Sequence, residues 1–339
     1  MALSLNTNII IVTIVFSALA LIVVVLRFVT RLKKGVPLAL DDFLILPGLL
    51  FTLALGACTL CGAYLGHLGE HVTVNSHGVP EYGDWVHSFS KIEWAGILIS
   101  ILAFAFIKAS LVLFYRRIFR GDRFYLITAI LLGIICCWGV SFFVAILLEC
   151  TPVSQAWLPQ LERTGHCYNP LPAFAGMATT NMIIDIAILA IPQPIVWKLN
   201  MPLSRRIAIS MIFLLGAFVV GISAARIYFY YSIAANPKLE YDVTYNAAPA
   251  FYWTNLDACM AVICASLPSV HILIADLSPR HLLRSIASKI SLRPSSKRSG
   301  NNSLREWQGQ SGGNSTSSAH PLDKYPVETM SLSKTDITV

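Results

Sequence analysis

Charge is what this sequence has least of. Asp, Glu, Lys and Arg make up 13% of its 339 residues, about half the share usual in a soluble domain. So few charges cannot clothe a water-exposed surface of this size, and a soluble globular fold is excluded. Other absences remove further classes. No CxxC pair stands beside a second pair or beside histidines at zinc-site spacing, and HExxH is missing, so no metal ion is expected. The first apolar run has neither a basic leader nor a small-residue cleavage site and is read as a retained helix rather than a signal peptide. No internal repeat is present, which removes the symmetry common in secondary transporters.

Apolar residues fill the gap: 55% of the chain is hydrophobic and the mean hydropathy is +0.65. They fall in runs long enough for a bilayer core of about 30 Å, which needs about 20 residues of helix. The runs lie near 8–30, 42–64, 93–116, 125–149, 172–197, 205–232 and 248–275. The expected fold is all-α, a seven-transmembrane helix bundle over residues 1–276. The net charge of +7 does not point to nucleic acid, because the basic residues sit in short loops between apolar blocks, where they suit an anionic membrane surface.

Those loops also set the orientation. The first, third and fifth hold Arg31, Lys33, Lys34, Arg116, Arg117, Arg120, Arg123, Lys198, Arg205 and Arg206, against Lys91, Arg163 and Lys238 in the other three. By the positive-inside rule the N-terminus lies outside and the C-terminus in the cytoplasm. Asp41 and Asp42 open the second span, where carboxylates suit the exposed N–H groups of a helix start. Residues 277–293 space Leu282, Leu283, Ile286 and Ile290 between Arg280, Arg284 and Lys289, the pattern of an amphipathic surface helix. Residues 294–339 are rich in Ser, Gly, Asn and Thr and read as a disordered cytoplasmic tail. Cys150 and Cys167 share one polar stretch on the outer side, where an oxidising exterior favours a disulfide.

Ionisable residues within a membrane are costly and mark function or packing. Lys108, Asp185 and Asp257 fall at similar depth in spans three, five and seven. The expectation is a polar cluster in which Lys108 meets Asp185 or Asp257, its plainest role an ion pair that locks helix packing. Arg226, near the outer end of span six, is expected at the outer face with Glu149, Glu93 or loop acids as partners. His71, on the outer loop, and Trp253 are placed with it at a ligand entrance. His67 and His71 would share a face only if their segment were helical. Pro192 and Pro268 are read as kinks in spans five and seven.

Several stretches together resemble the fungal rhodopsin-domain integral membrane proteins, a group that takes in receptor-like proteins and the membrane proteins of satratoxin-type metabolite clusters. They are DDFLIL at 41–46, KASLVLFYRRIF at 108–119, ECTPVSQAW at 149–157, DIAILAIPQPIVWKLNMP at 185–202 and WTNLDACMAVICASLP at 253–268. The resemblance covers about residues 8–275 and departs at Asp257, where family members carry Glu. It implies a multi-pass protein of the plasma membrane, receptor-like, sensing an extracellular or lipophilic ligand and coupled to a cytoplasmic signalling protein, with a tie to secondary metabolism. It does not imply retinal or another cofactor, since span seven holds no lysine for a Schiff base. A transporter, or a membrane-embedded accessory or enzyme of metabolite biosynthesis, is the alternative. Enzymatic chemistry has the least support, because no nucleophile–base or metal-ligand pattern accompanies the charged residues.

Overall fold

A computed structural model of the chain describes residues 5–72, 83–119, 121–159, 162–193, 203–235 and 243–276, the side chains of 203–212, 233–235, 243 and 268–276 excepted. The surface helix expected at 277–293 and the tail expected at 294–339 lie outside these residues. So does residue 277 onward of the two units into which the chain divides, Met1–Ile286 and Ala287–Val339.

Seven α-helices follow one another: α1 Leu5–Lys33, α2 Leu40–Leu65, α3 Trp85–Ile118, α4 Asp122–Leu147, α5 Pro170–Ala190, α6 Leu203–Ala235 and α7 Val243–Asp276. All seven are long and apolar enough to cross a membrane. With no water in hydrocarbon to satisfy the backbone, each crossing must close its hydrogen bonds within itself, which is why the apolar runs become helices. Exposed Ile14, Ile22, Leu50, Ile130 and Leu214 on the outside of the bundle are then the lipid-facing residues.

Several boundaries differ from expectation, among them the start of α3 at Trp85, where the run is expected from 93, and of α7 at Val243, where it is expected from 248. The fourth helix stops at Leu147, and the fifth at Ala190, before Pro192. The N–H of Ile191 still reaches the carbonyl of Ala187 at 3.2 Å, but Pro192 has no N–H to continue the ladder. Pro192 stands at this break, and the backbone is helical again at Gln193, the last described residue of the segment. Pro268 falls within α7, outside the residues whose side chains are described.

Helices α3 and α7 form the centre. In their most apolar stretches 56% and 78% of residues are buried, against 22–39% in the others. Helix α3 packs against α2, α4, α5 and α7, and α7 against α1, α2, α3 and α6. Small residues let the backbones approach: a Cβ on Gly48 of α2 would come within 2.9 Å of Ile107 Cγ1 on α3. Between α4 and α5 the chain makes a short antiparallel hairpin, β1 Cys150–Thr151 and β2 His166–Cys167. A disulfide joins Cys150 to Cys167.

The opposite end is held by a buried ionic clasp. Arg27 of α1 is fully buried and spends its guanidinium on three acceptors: Asp42 Oδ1 at 2.9 Å, Asp41 Oδ2 at 2.7 Å and the Ala265 carbonyl of α7 at 2.7 Å. That carbonyl lies three residues before Pro268, in the turn a proline loosens. Arg31 Nη2 donates to the same Asp41 oxygen at 2.7 Å, and Arg117 of α3 stands 3.5 and 3.7 Å from the two carboxylates. Asp42 also accepts the backbone N–H of Ala39 at 3.2 Å, at the start of α2. Ser110 of α3 donates to the Asp41 carbonyl at 2.6 Å. Three helices thus meet on two carboxylates, and α7 joins them through Arg27.

Removing the central cation leaves two carboxylates short of their main partner, a loss of about 3–5 kcal/mol for a buried pair. Arg27→Met is expected to lower the thermal midpoint of the purified protein far more than Arg117→Met, whose side chain is 29% exposed. Differential scanning fluorimetry in one detergent compares the two, and equal shifts would contradict the clasp.

Candidate functional site

Midway through the bundle, α3, α5, α6 and α7 bring together a second set of charges. Lys108 sits one turn along α3 from Phe104 and is only 3% exposed. Its Nζ donates to the Asp185 carboxylate and, at 3.0 Å, to the Asn181 carbonyl of α5. Asn181 and Asp185 stand four residues apart, so they share a helix face, and Asn181 Nδ2 donates to Asp185 Oδ2 at 3.2 Å. Asp185 is thus clamped by a lysine from one helix and an amide from its own.

The second pair joins α6 to α7. Asp257, fully buried, accepts a hydrogen bond from Ser223 Oγ on Oδ2 at 3.1 Å, and Arg226 Nη1 lies 3.5 Å from the same oxygen. The Arg226 guanidinium also stands 5.1 Å over the Phe104 ring, a cation–π contact that steadies a desolvated charge. Aromatic rings flank the pair: Phe229 stacks on Trp253 with centroids 6.4 Å apart, and Phe174 meets Tyr230 at 6.1 Å. Lys108 and Arg226 against Asp185 and Asp257 sum to zero charge, as a low-dielectric interior requires.

The two pairs differ in how completely they are bonded. Arg226 is 1% exposed, yet among the described residues its Nε, Nη1 and Nη2 have no hydrogen-bond acceptor; Asp257 Oδ1 and Asn181 Oδ1 likewise have no donor there. Chemically the arrangement offers a planar cation with free N–H groups, two acceptor oxygens and apolar walls. That set suits recognition of a small oxyanion.

Lys108 therefore meets Asp185, while Asp257 is taken by Arg226. The expectation for Arg226 is corrected: it is not at the outer face with Glu149 or Glu93 but inside the bundle. Its side chain points to the one carboxylate on α7 that lets it stay desolvated. Trp253 lies half-buried ten residues into α7, on Phe229. His71 is exposed and stacks on Tyr245, near the start of α7, at 3.8 Å. The segment before it is a turn, with positive φ at His67 (51°) and Gly69 (87°). No helical face brings His67 and His71 together, and His67 instead pairs with Glu70 at 2.7 Å.

Glu149 is engaged at the hairpin end. Its carboxylate accepts from Arg163 Nη1 at 2.6 Å, while the same guanidinium donates to the carbonyls of Leu158 at 3.0 Å and Ala156 at 2.9 Å. Burial pushes the Glu149 carboxyl above its ordinary range, and Arg163 pulls it part of the way back. This tie and the disulfide hold the hairpin to the end of α4.

Sequence reasoning passed over Arg27, although a lone arginine in the run LIVVVLRFVT carried the same signal as Lys108: a charge in hydrocarbon. Arg31, one turn on, was assigned to the loop, which hid the pattern. Ser223 and Asn181 carried no signal, since such residues are ordinary in membrane helices.

The family model of the fungal rhodopsin domain matches residues 26–276. A polyenoic acids biosynthesis gene cluster protein of Metarhizium anisopliae is 24% identical over 75% of this chain and 70% of its own. A satratoxin biosynthesis cluster protein of Stachybotrys chartarum is 27% identical over 62% of this chain and 79% of its own. A SAT4 family membrane protein of Emericella nidulans is 27% identical over 59% of this chain and 49% of its own. No solved structure matches the chain.

Charge reversal tests the pairing. Lys108→Asp and Asp185→Lys are each expected to lose about 3–5 kcal/mol, the scale of a broken buried pair. The double variant should recover a large part, read as folded yield and thermal midpoint. Additive losses in the double variant would mean that the two residues do not interact.

Proposed function

The chain belongs to the fungal rhodopsin domain family, and within it we propose a receptor-like role: a small lipophilic ligand, reaching the bundle from outside or from the bilayer, alters packing at the buried charges, and a cytoplasmic partner reads the change. The protein is a multi-pass membrane protein, and the plasma membrane is its proposed site. In this reading the disulfide hairpin faces outward and the Arg27 clasp faces the cytoplasm, as the loop lysines and arginines require.

One observation carries the reading: the cluster and the clasp are built on the same two central helices. Lys108 and the clasp residue Ser110 are two positions apart on α3. Asp257 and Ala265, whose carbonyl holds Arg27, are eight apart on α7, about 12 Å of helix. A ligand that binds one arrangement of α7 against α3 better than another changes the strain on the Arg27 bonds. Such a difference in affinity is the requirement for a conformational signal.

A second reading, in which the protein moves or helps to make a metabolite, is favoured by two relatives whose names tie them to biosynthesis clusters.

One preparation separates the readings. Full-length protein is reconstituted in liposomes with spin labels at the ends of α1 and α3 on the clasp side and given a culture extract of the source organism. The receptor-like role predicts a changed label distance and no metabolite trapped inside beyond one equivalent per protein. Accumulation far above that, with the distance unchanged, would establish transport and refute the role.

A further inference from the structure

We propose that Arg226 anchors the carboxylate of a lipophilic carboxylic acid held among α3, α5, α6 and α7. The proposal rests on the receptor-like reading of this site and names the chemical class of its ligand.

The argument starts from a contrast within the molecule. Among the described residues three arginines are buried, Arg27, Arg31 and Arg226, and the contrast lies between the two most deeply buried, Arg27 and Arg226. Arg27 finds a close acceptor for each of Nε, Nη1 and Nη2, at 2.7–2.9 Å. Arg226 has an acceptor for none of its three nitrogens. The nearest carboxylate oxygen, at 3.5 Å, already takes the Ser223 hydroxyl. A desolvated guanidinium left in this way is costly unless a further acceptor reaches it. This fold can satisfy a buried arginine, as Arg27 shows, and no described residue does so at Arg226.

The missing acceptor has definite properties. Free N–H groups on a planar fork favour a bidentate oxyanion. The aromatic walls (Phe104, Phe229, Tyr230 and Trp253) favour an apolar body attached to it. Charge favours a carboxylic acid over a phosphate. The cluster is neutral, with Lys108 and Asp185 facing Asp257 alongside Arg226 and Ser223, so a dianion would stand uncompensated beside two carboxylates.

A carboxylic acid can enter from the bilayer in its neutral form. Its O–H bond breaks as a new O–H bond forms at Asp257 Oδ1, the oxygen without a donor. The ligand keeps the electron pair as a carboxylate on Arg226, and protonated Asp257 becomes a donor. The sum of charge in the cluster is unchanged.

The test uses full-length protein in lipid nanodiscs with oleic acid, octanoic acid and methyl oleate as probes, binding being read by tryptophan fluorescence and by equilibrium retention of radiolabelled acid. Wild-type protein and a Lys91→Gln control, which alters an exposed charge, should bind at least one of the acids alike, and the methyl ester at least about tenfold more weakly. Arg226→Gln should lose about tenfold or more of acid affinity. Where Arg226→Gln does not fold, the neutral pair Arg226→Gln/Asp257→Asn carries the same expectation with no charge left unpaired. Failure of wild type to bind either acid, equal binding of the ester, or unchanged affinity in the arginine variants would overturn the proposal. Acid binding without a change in the α1–α3 label distance would count against the receptor-like reading alone. An extract-driven distance change in protein that binds neither acid would count against the carboxylate proposal alone.

Discussion

A charge surrounded by hydrocarbon must bring its counter-charge with it, and much of this structure follows from that requirement. The chain commits few charged residues to its helices, and the buried ones are paired across helices rather than along them. Each pair therefore specifies a neighbour: Arg27 ties α1 to α2 and α7, Lys108 ties α3 to α5, and Arg226 ties α6 to α7. Apolar packing alone has little preference among greasy helices, since lipid tails are as apolar as leucine. The polar ties supply the selection.

The two polar centres do different work because they are satisfied to different degrees. At the clasp, two carboxylates collect three arginines from two helices, and Arg27 has no unused nitrogen. At mid-bundle the same residue types are present, but oxygen and nitrogen atoms remain uncommitted. A partly satisfied buried network is a poor structural device and a good recognition device. Its position on the two central helices, a short distance from the clasp, gives an occupant a mechanical route to the end of the bundle.

The seven crossings are legible because bilayer thickness and backbone hydrogen bonding leave so little freedom, whereas helix ends such as the starts of α3 and α7 and the end of α5 are not. Periodicity and hydropathy contain no information on which helix neighbours which, and there the reading of residues ran out. Lys108 could be matched to a carboxylate at its own depth, but two were available, and only the packing of α5 against α3 decides for Asp185. Arg226 was judged from its distance to the helix end, which places its Cα well. An arginine side chain, however, reaches several ångströms, and the Asp257 carboxylate holds it inside the bundle against the cost of desolvation. A shared face for His67 and His71 depends on a helix that the turn at His67 and Gly69 does not form. Arg27 was the one avoidable omission.

The account stands or falls on the partners of the two buried cations at mid-bundle. An electron cryo-microscopy map of the protein in a lipid nanodisc, resolved to side chains, measures them directly. Both cations should be found inside the bundle, Lys108 on Asp185 and Arg226 facing Asp257, each within about 4 Å. A map showing either side chain turned to lipid, or reaching out to an aqueous loop, would contradict it.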